Sequence, residues 1–98
     1  MKIRSSFVAN SSSASCAVLK SAITELHRVQ IFDHINEALR LLSIGINEDL
    51  GYVEENDKWC IDETDDYIFL FTSMDNFDMI KYLKLIGISE EHILTDVK

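Results

Sequence analysis

The sequence predicts an α+β fold: a small antiparallel sheet, including a β-hairpin over about 58–72, packed by two main helices over about 24–42 and 76–85. Three observations predict it. Residues 58–62 (KWCID) and 67–72 (YIFLFT) are β-branched and aromatic runs on either side of the polar turn Glu63, Thr64, Asp65 and Asp66, which is a hairpin pattern. At 100° per residue, Ile31, Phe32, Ile35, Ala38, Leu39 and Leu42 fall on one side of a helix, a core-facing stripe. Strand-like and helix-like segments are also segregated along the chain, as in sheets with helices packed on them.

Taken in order, residues 1–15 form a serine-rich N-terminal arm and 16–98 a single α+β domain. Serine competes for backbone hydrogen bonds and favours turns over regular structure. Within the arm, Phe7 and Val8 are an apolar pair suited to tucking against the domain. The run Cys16–Leu19 reads as a strand. Ser21 or Thr24 is placed to cap the first helix, and Gly45 to stop it. Leu26 and Val29 lie off the apolar stripe, so the first turn bends, starts later or meets another neighbour. Gly51–Val53 reads as a short extended piece.

In the second hairpin strand, Tyr67, Phe69 and Phe71 face one way and Ile68, Leu70 and Thr72 the other. Apolar side chains on both faces predict a central, covered strand. Ser73 or Asp75 then caps the second helix, which carries Phe77, Ile80, Tyr82, Leu83 and Ile86 and stops at Gly87. Residues 89–93 (SEEHI) read as a final helical turn.

The charge is unevenly distributed. The net charge is −8, and between Asn47 and Asp66 there are nine carboxylates against the single cation Lys58. A concentrated negative field repels nucleic acid and attracts cationic surfaces. Direct nucleic-acid binding is therefore disfavoured, because phosphate contacts need cations and Lys2, Arg4 and Lys20 make only a thin basic patch. The expected partner is a protein with a basic surface. The residues assigned to its docking face are Glu54, Glu55, Asp57, Trp59, Asp62, Glu63, Asp65 and Asp66. Trp59 belongs there only if exposed, since tryptophan anchors interfaces; burial in the core is the commoner fate of such a residue. Phe69 and Phe71 are likewise expected in the core.

Other chemistries find less support. Asp62, Glu63, Asp65 and Asp66 lack the central glycine and closing glutamate of an EF-hand loop. His27 and His34 lie two turns apart on one helix, too far to share a zinc ion without a bend, and His92 is isolated. Ser11, Ser12, Ser13, Ser15 and Cys16 are possible nucleophiles, with His34 as a base in principle, but no nucleophile motif surrounds them. The glycines are too scattered for a phosphate loop. No catalytic residue, metal or cofactor is expected. No apolar run reaches the ~20 residues of a membrane helix, and no signal-like apolar segment follows Lys2 and Arg4. The expected setting is cytoplasmic, with Cys16 and Cys60 as reduced thiols.

Two stretches carry a family resemblance. Residues 4–15 (RSSFVANSSSAS) resemble a serine-rich N-terminal signature of small tailed-phage proteins, with Ser6 where that signature has glycine, Ala9 in place of a serine and Ala14 interrupting the tract. Residues 71–79 (FTSMDNFDM), with Tyr82, Leu83, Ile86 and Gly87, resemble a segment of uncharacterised phage proteins. The resemblance implies a phage or prophage origin and no activity.

Three functions compete on these grounds. The first is a non-enzymatic binding module that inhibits a host defence or nucleic-acid-handling protein through its acidic face, in its sharpest form as a DNA mimic. The second is a structural or assembly accessory of the virion. The third is a small enzyme using Cys16 or a serine. No feature of the sequence sets the oligomeric state.

Overall fold

The structure is a computed structural model that describes residues 14–74 and 76–95. Four antiparallel strands form one sheet: β1 (Ala14–Leu19), β2 (Cys60–Glu63), β3 (Tyr67–Thr72) and β4 (Ile93–Thr95), in the spatial order β2-β3-β1-β4. The helices are α1 (Glu25–Phe32), α2 (His34–Ser43) and α3 (Met79–Leu85). The fold is therefore α+β, with the expected hairpin as β2 and β3.

The helices cover one face of the sheet. Cys16 and Val18 of β1, Ile68 and Leu70 of β3 and Ile93 of β4 form one core with Ile31, Ile35 and Ala38 from α1 and α2 and with Met79, Tyr82 and Leu83 from α3. Register follows from this burial. Cys16 pairs with Leu70 and Val18 with Ile68, and a slip by one residue would turn all four outward. The odd-numbered residues of β3 point to the opposite face. There Tyr67 and Phe69 are half-buried and Phe71 is 45% exposed. The strand is central as expected, but the described helices lie on one side of it only; on the other side Ala17, opposite Phe69, is buried while Phe71 is exposed. Phe69 and Phe71 stand outside the core.

The helix expected over 24–42 is two helices. Thr24 caps α1 by accepting from the His27 backbone N–H at 3.1 Å, while the Thr24 N–H donates to His27 Nδ1 at 3.2 Å. The His27 ring thus stands where a capping box usually has glutamate. The chain leaves helical geometry at Asp33 (φ −115°, ψ 40°), which ends α1 and begins α2. His34 accounts for the break. Its ring is fully buried, with Nδ1 2.8 Å from the Ile31 carbonyl and Nε2 accepting from the Trp59 N–H at 3.0 Å. It satisfies one terminal carbonyl of α1 and ties the junction to the segment before β2. Leu26 and Val29, which lie off the apolar stripe, are exposed on α1, and Leu39, expected on the stripe, is exposed on α2, so the stripe is narrower than its sequence pattern at that residue.

Other boundaries shift slightly. β1 begins at Ala14, two residues earlier than expected, and the rest of the serine-rich arm lies outside the described residues. α3 begins at Met79, capped by Asp78, whose carboxylate accepts from the Lys81 N–H at 3.0 Å. Asp75, one of the expected caps, lies outside the described residues. The extended piece at 51–53 is a bridge: Gly51 pairs with Phe77, and the Tyr52 N–H donates to the Asn76 carbonyl at 2.9 Å. Gly51 has φ +80°, and a Cβ there would collide with the Asn76 carbonyl oxygen, so glycine is required twice over. The last helical turn is a 3-10 turn over Glu90–His92, and it leads directly into β4, a strand not expected from the sequence.

Candidate functional site

Strand alternation sorts the acidic block. On β2, Ile61 and Glu63 point toward the helix layer, while Cys60 and Asp62 point to the outer face, paired with Phe71 and Phe69. Glu63 reaches the helices and is held there. Arg28 of α1 donates to both its oxygens, at 2.9 and 2.7 Å, and Lys20 Nζ lies 2.8 Å from Oε2. The bidentate bond from Arg28, with Lys20 beside it, holds the Glu63 carboxyl far below its usual range, at about 2. The Arg28 guanidinium also lies 4.7 Å from the centre of the Phe32 ring.

The hairpin tip is fastened by the same cation. Lys20 Nζ donates to the Thr64 carbonyl at 3.0 Å, and the Lys20 N–H donates to the Asp66 carbonyl at 2.9 Å. Thr64 closes the turn, its N–H donating to the Tyr67 carbonyl and its Oγ1 accepting from the Tyr67 N–H. Asp65 and Asp66 are therefore displayed, exposed, on ordered backbone.

The other end of the block behaves differently. Asp57 accepts from Asn76 Nδ2 at 3.0 Å, and Asp49 accepts from the Gly51 N–H at 3.0 Å. Both carboxylates shape loops. Trp59 is 4% exposed and donates through Nε1 to the Phe77 carbonyl at 3.1 Å. Its ring belongs to the core and is not presented to a partner. Glu54 and Glu55 are exposed at the turn preceding β2, which lies at the opposite end of the strand from the tip.

Of the eight residues assigned to one docking face, the structure brings Asp62, Asp65 and Asp66 together at the outer face and tip. Glu54 and Glu55 stand apart from them, and Asp57, Trp59 and Glu63 are engaged within the fold. Among the described residues, no ion pair involves Glu54, Glu55, Asp62, Asp65 or Asp66. Tyr67, Phe69 and Phe71 flank Asp62 on the outer face, and of these Phe69 and Phe71 were expected in the core; the alternation that puts all three on one strand face was the signal that could have found them.

Of the groups considered for other chemistry, Cys16 and His34 are held within the fold. The Cys16 thiol is buried on the core face of β1, and both ring nitrogens of His34 are engaged. Burial lowers the His34 pKa below its usual value. The Trp59 N–H bond requires a bare Nε2, so the neutral ring carries its proton on Nδ1. Ser11, Ser12 and Ser13 lie outside the described residues. Among the described residues, no group of three or more His, Cys, Asp or Glu side chains is placed to hold a metal ion, and no helix is long and apolar enough to cross a membrane.

No family model matches the chain, and no curated protein or solved structure matches it significantly. The geometry itself defines a class: a small α+β domain with its helices on one face of a four-stranded antiparallel sheet and an acidic hairpin at one end.

Proposed function

We propose that the chain is a non-enzymatic protein-binding module that docks on a basic surface of a partner protein through the hairpin carboxylates. The observation that carries this reading is the contrast at the tip. Glu63 is neutralised by Arg28 and Lys20, while Asp62, Asp65 and Asp66 are exposed without a cationic partner among the described residues. Carboxylates fixed on a bonded hairpin lose little entropy on docking, and their field speeds encounter with cationic surfaces and rejects anionic ones. On the phage resemblance, the partner is a host protein of defence or nucleic-acid handling, which presents such a basic surface.

Docking on a basic patch fits the geometry better than mimicry of DNA. A mimic needs carboxylates in rows spaced like phosphates, and here the block is interrupted by Asp57, Trp59 and Glu63, all engaged within the fold. The test is affinity capture from host lysate, identification of the captured protein, and measurement of its affinity at low and high salt. The expected result is binding that weakens steeply with salt and is lost on joint Asp62→Asn, Asp65→Asn and Asp66→Asn substitution. Salt-insensitive binding unchanged by those substitutions would overturn the proposal.

A further inference from the structure

Resting on the acidic-docking reading, we infer that the outer face of the sheet is the seat of the partner and that it takes an arginine-bearing segment laid across Tyr67, Phe69 and Phe71. Strand register places these aromatic residues in a line on β3, with Ala17 of β1, itself buried, opposite Phe69 and Leu94 of β4 beyond it. The Tyr67 and Phe69 rings are 5.8 Å apart and tilted by 38°. Phe71 is 45% and Leu94 42% exposed, and no described helix covers this face, since all three contribute to the core on the other side.

Charge selects the occupant. Asp62 stands on this face directly across from Phe69, and Asp65 and Asp66 stand at its end. No Lys or Arg occurs at the outward positions of the described strands, and Lys20 and Arg28 are held at Glu63 on the helix side. An aromatic surface with Asp62, Asp65 and Asp66 at its tip end, and with no Lys or Arg at the outward positions of the described strands, matches guanidinium groups. Their planes stack on rings, and their N–H groups donate in pairs to carboxylates. Lysine ammonium groups satisfy the carboxylates but stack less well. A second copy of the chain fits poorly, because each copy carries −8 and would bring the same carboxylates face to face.

The full-length protein can be tested with two labelled probes, a nine-residue arginine peptide and its lysine counterpart. Cys60 is an exposed thiol across from Phe71, so its alkylation rate reports cover on this face. The arginine peptide is expected to bind about five-fold more tightly than the lysine peptide, the scale of one exposed cation–π contact, and to slow alkylation of Cys60. Phe71→Thr is expected to abolish the arginine preference while leaving the folded structure and the salt dependence in place. Equal binding of the two peptides, with Cys60 alkylation unchanged, would overturn the inference. The acidic-docking reading survives that result if joint Asp62→Asn, Asp65→Asn and Asp66→Asn substitution still weakens both peptides, and fails if it does not. Self-association abolished by Phe71→Thr would assign the face to a second copy and overturn the inference. So would a rise in peptide affinity on Phe7→Ser, which would assign it to the chain's own N-terminal residues.

Discussion

Asp62 and Glu63 are adjacent on β2, yet strand alternation sends Asp62 to the outer face and Glu63 to the helix layer, where Arg28 and Lys20 hold it. The same division runs through the whole acidic block. Asp49, Asp57 and Glu63 use their charge to fix loops and join elements, while Glu48, Glu54, Glu55, Asp62, Asp65 and Asp66 project their charge outward. A count of carboxylates along the chain overstates a docking surface, because an acidic residue beside a strand or tight turn can be spent internally. What matters is which face each residue reaches and whether a cation is already there.

The inner side should break most severely. Trp59→Ala removes a buried indole and its hydrogen bond to the Phe77 carbonyl, and is expected to cost about 3–5 kcal/mol in denaturant unfolding. A much smaller loss would mean that Trp59 does not anchor the acidic segment to the core.

The next effect is one of pH. The folded-state pKa of His34 is lowered, chiefly by burial, so the unfolded chain takes up the proton first as pH falls. The stabilisation is fully present above about 6.5, the ordinary histidine value, and is lost progressively as pH falls below it toward the lowered folded-state value. Asp33, Glu55, Lys58 and Tyr82 are the other titratable groups around the ring. In His34→Gln this part of the pH dependence of the melting temperature should vanish; an unchanged profile would place the titration elsewhere.

Glu63→Gln sharpens the comparison directly. The carboxyl is depressed to about 2, so its stabilisation is present above the ordinary glutamate range and is lost as pH falls through about 2. The variant should melt lower than the parent at neutral pH and lose less stability on acidification. The smallest effect is expected for Asp62→Asn and Asp65→Asn, which should change unfolding stability by no more than about 0.5 kcal/mol. A larger loss would show that the outer carboxylates are structural too.

Much of the fold was legible in the sequence, but the division within the acidic block was not. The hairpin could be read from two apolar runs around a polar turn, and the ends of the helices from Gly45 and Gly87, both of which adopt positive φ. The α1–α2 break could not, because its cause is tertiary: His34 bonds to Trp59, 25 residues away. The pairing of Glu63 with Arg28 spans 35 residues and leaves no local pattern. β4 is three residues long, too short for alternation to show. The outer aromatics misled for a different reason. A strand apolar on both faces reads as covered on both, but here the described helices all lie on one side.

The most direct test of the central claim is a paired measurement on Asp62→Asn and Glu63→Gln, recording melting temperature and arginine-peptide affinity for each. The account predicts a split: Asp62→Asn weakens binding with stability unchanged, and Glu63→Gln lowers stability with binding by the folded protein retained. Equal effects of the two substitutions on both quantities, or the reverse split, would contradict it.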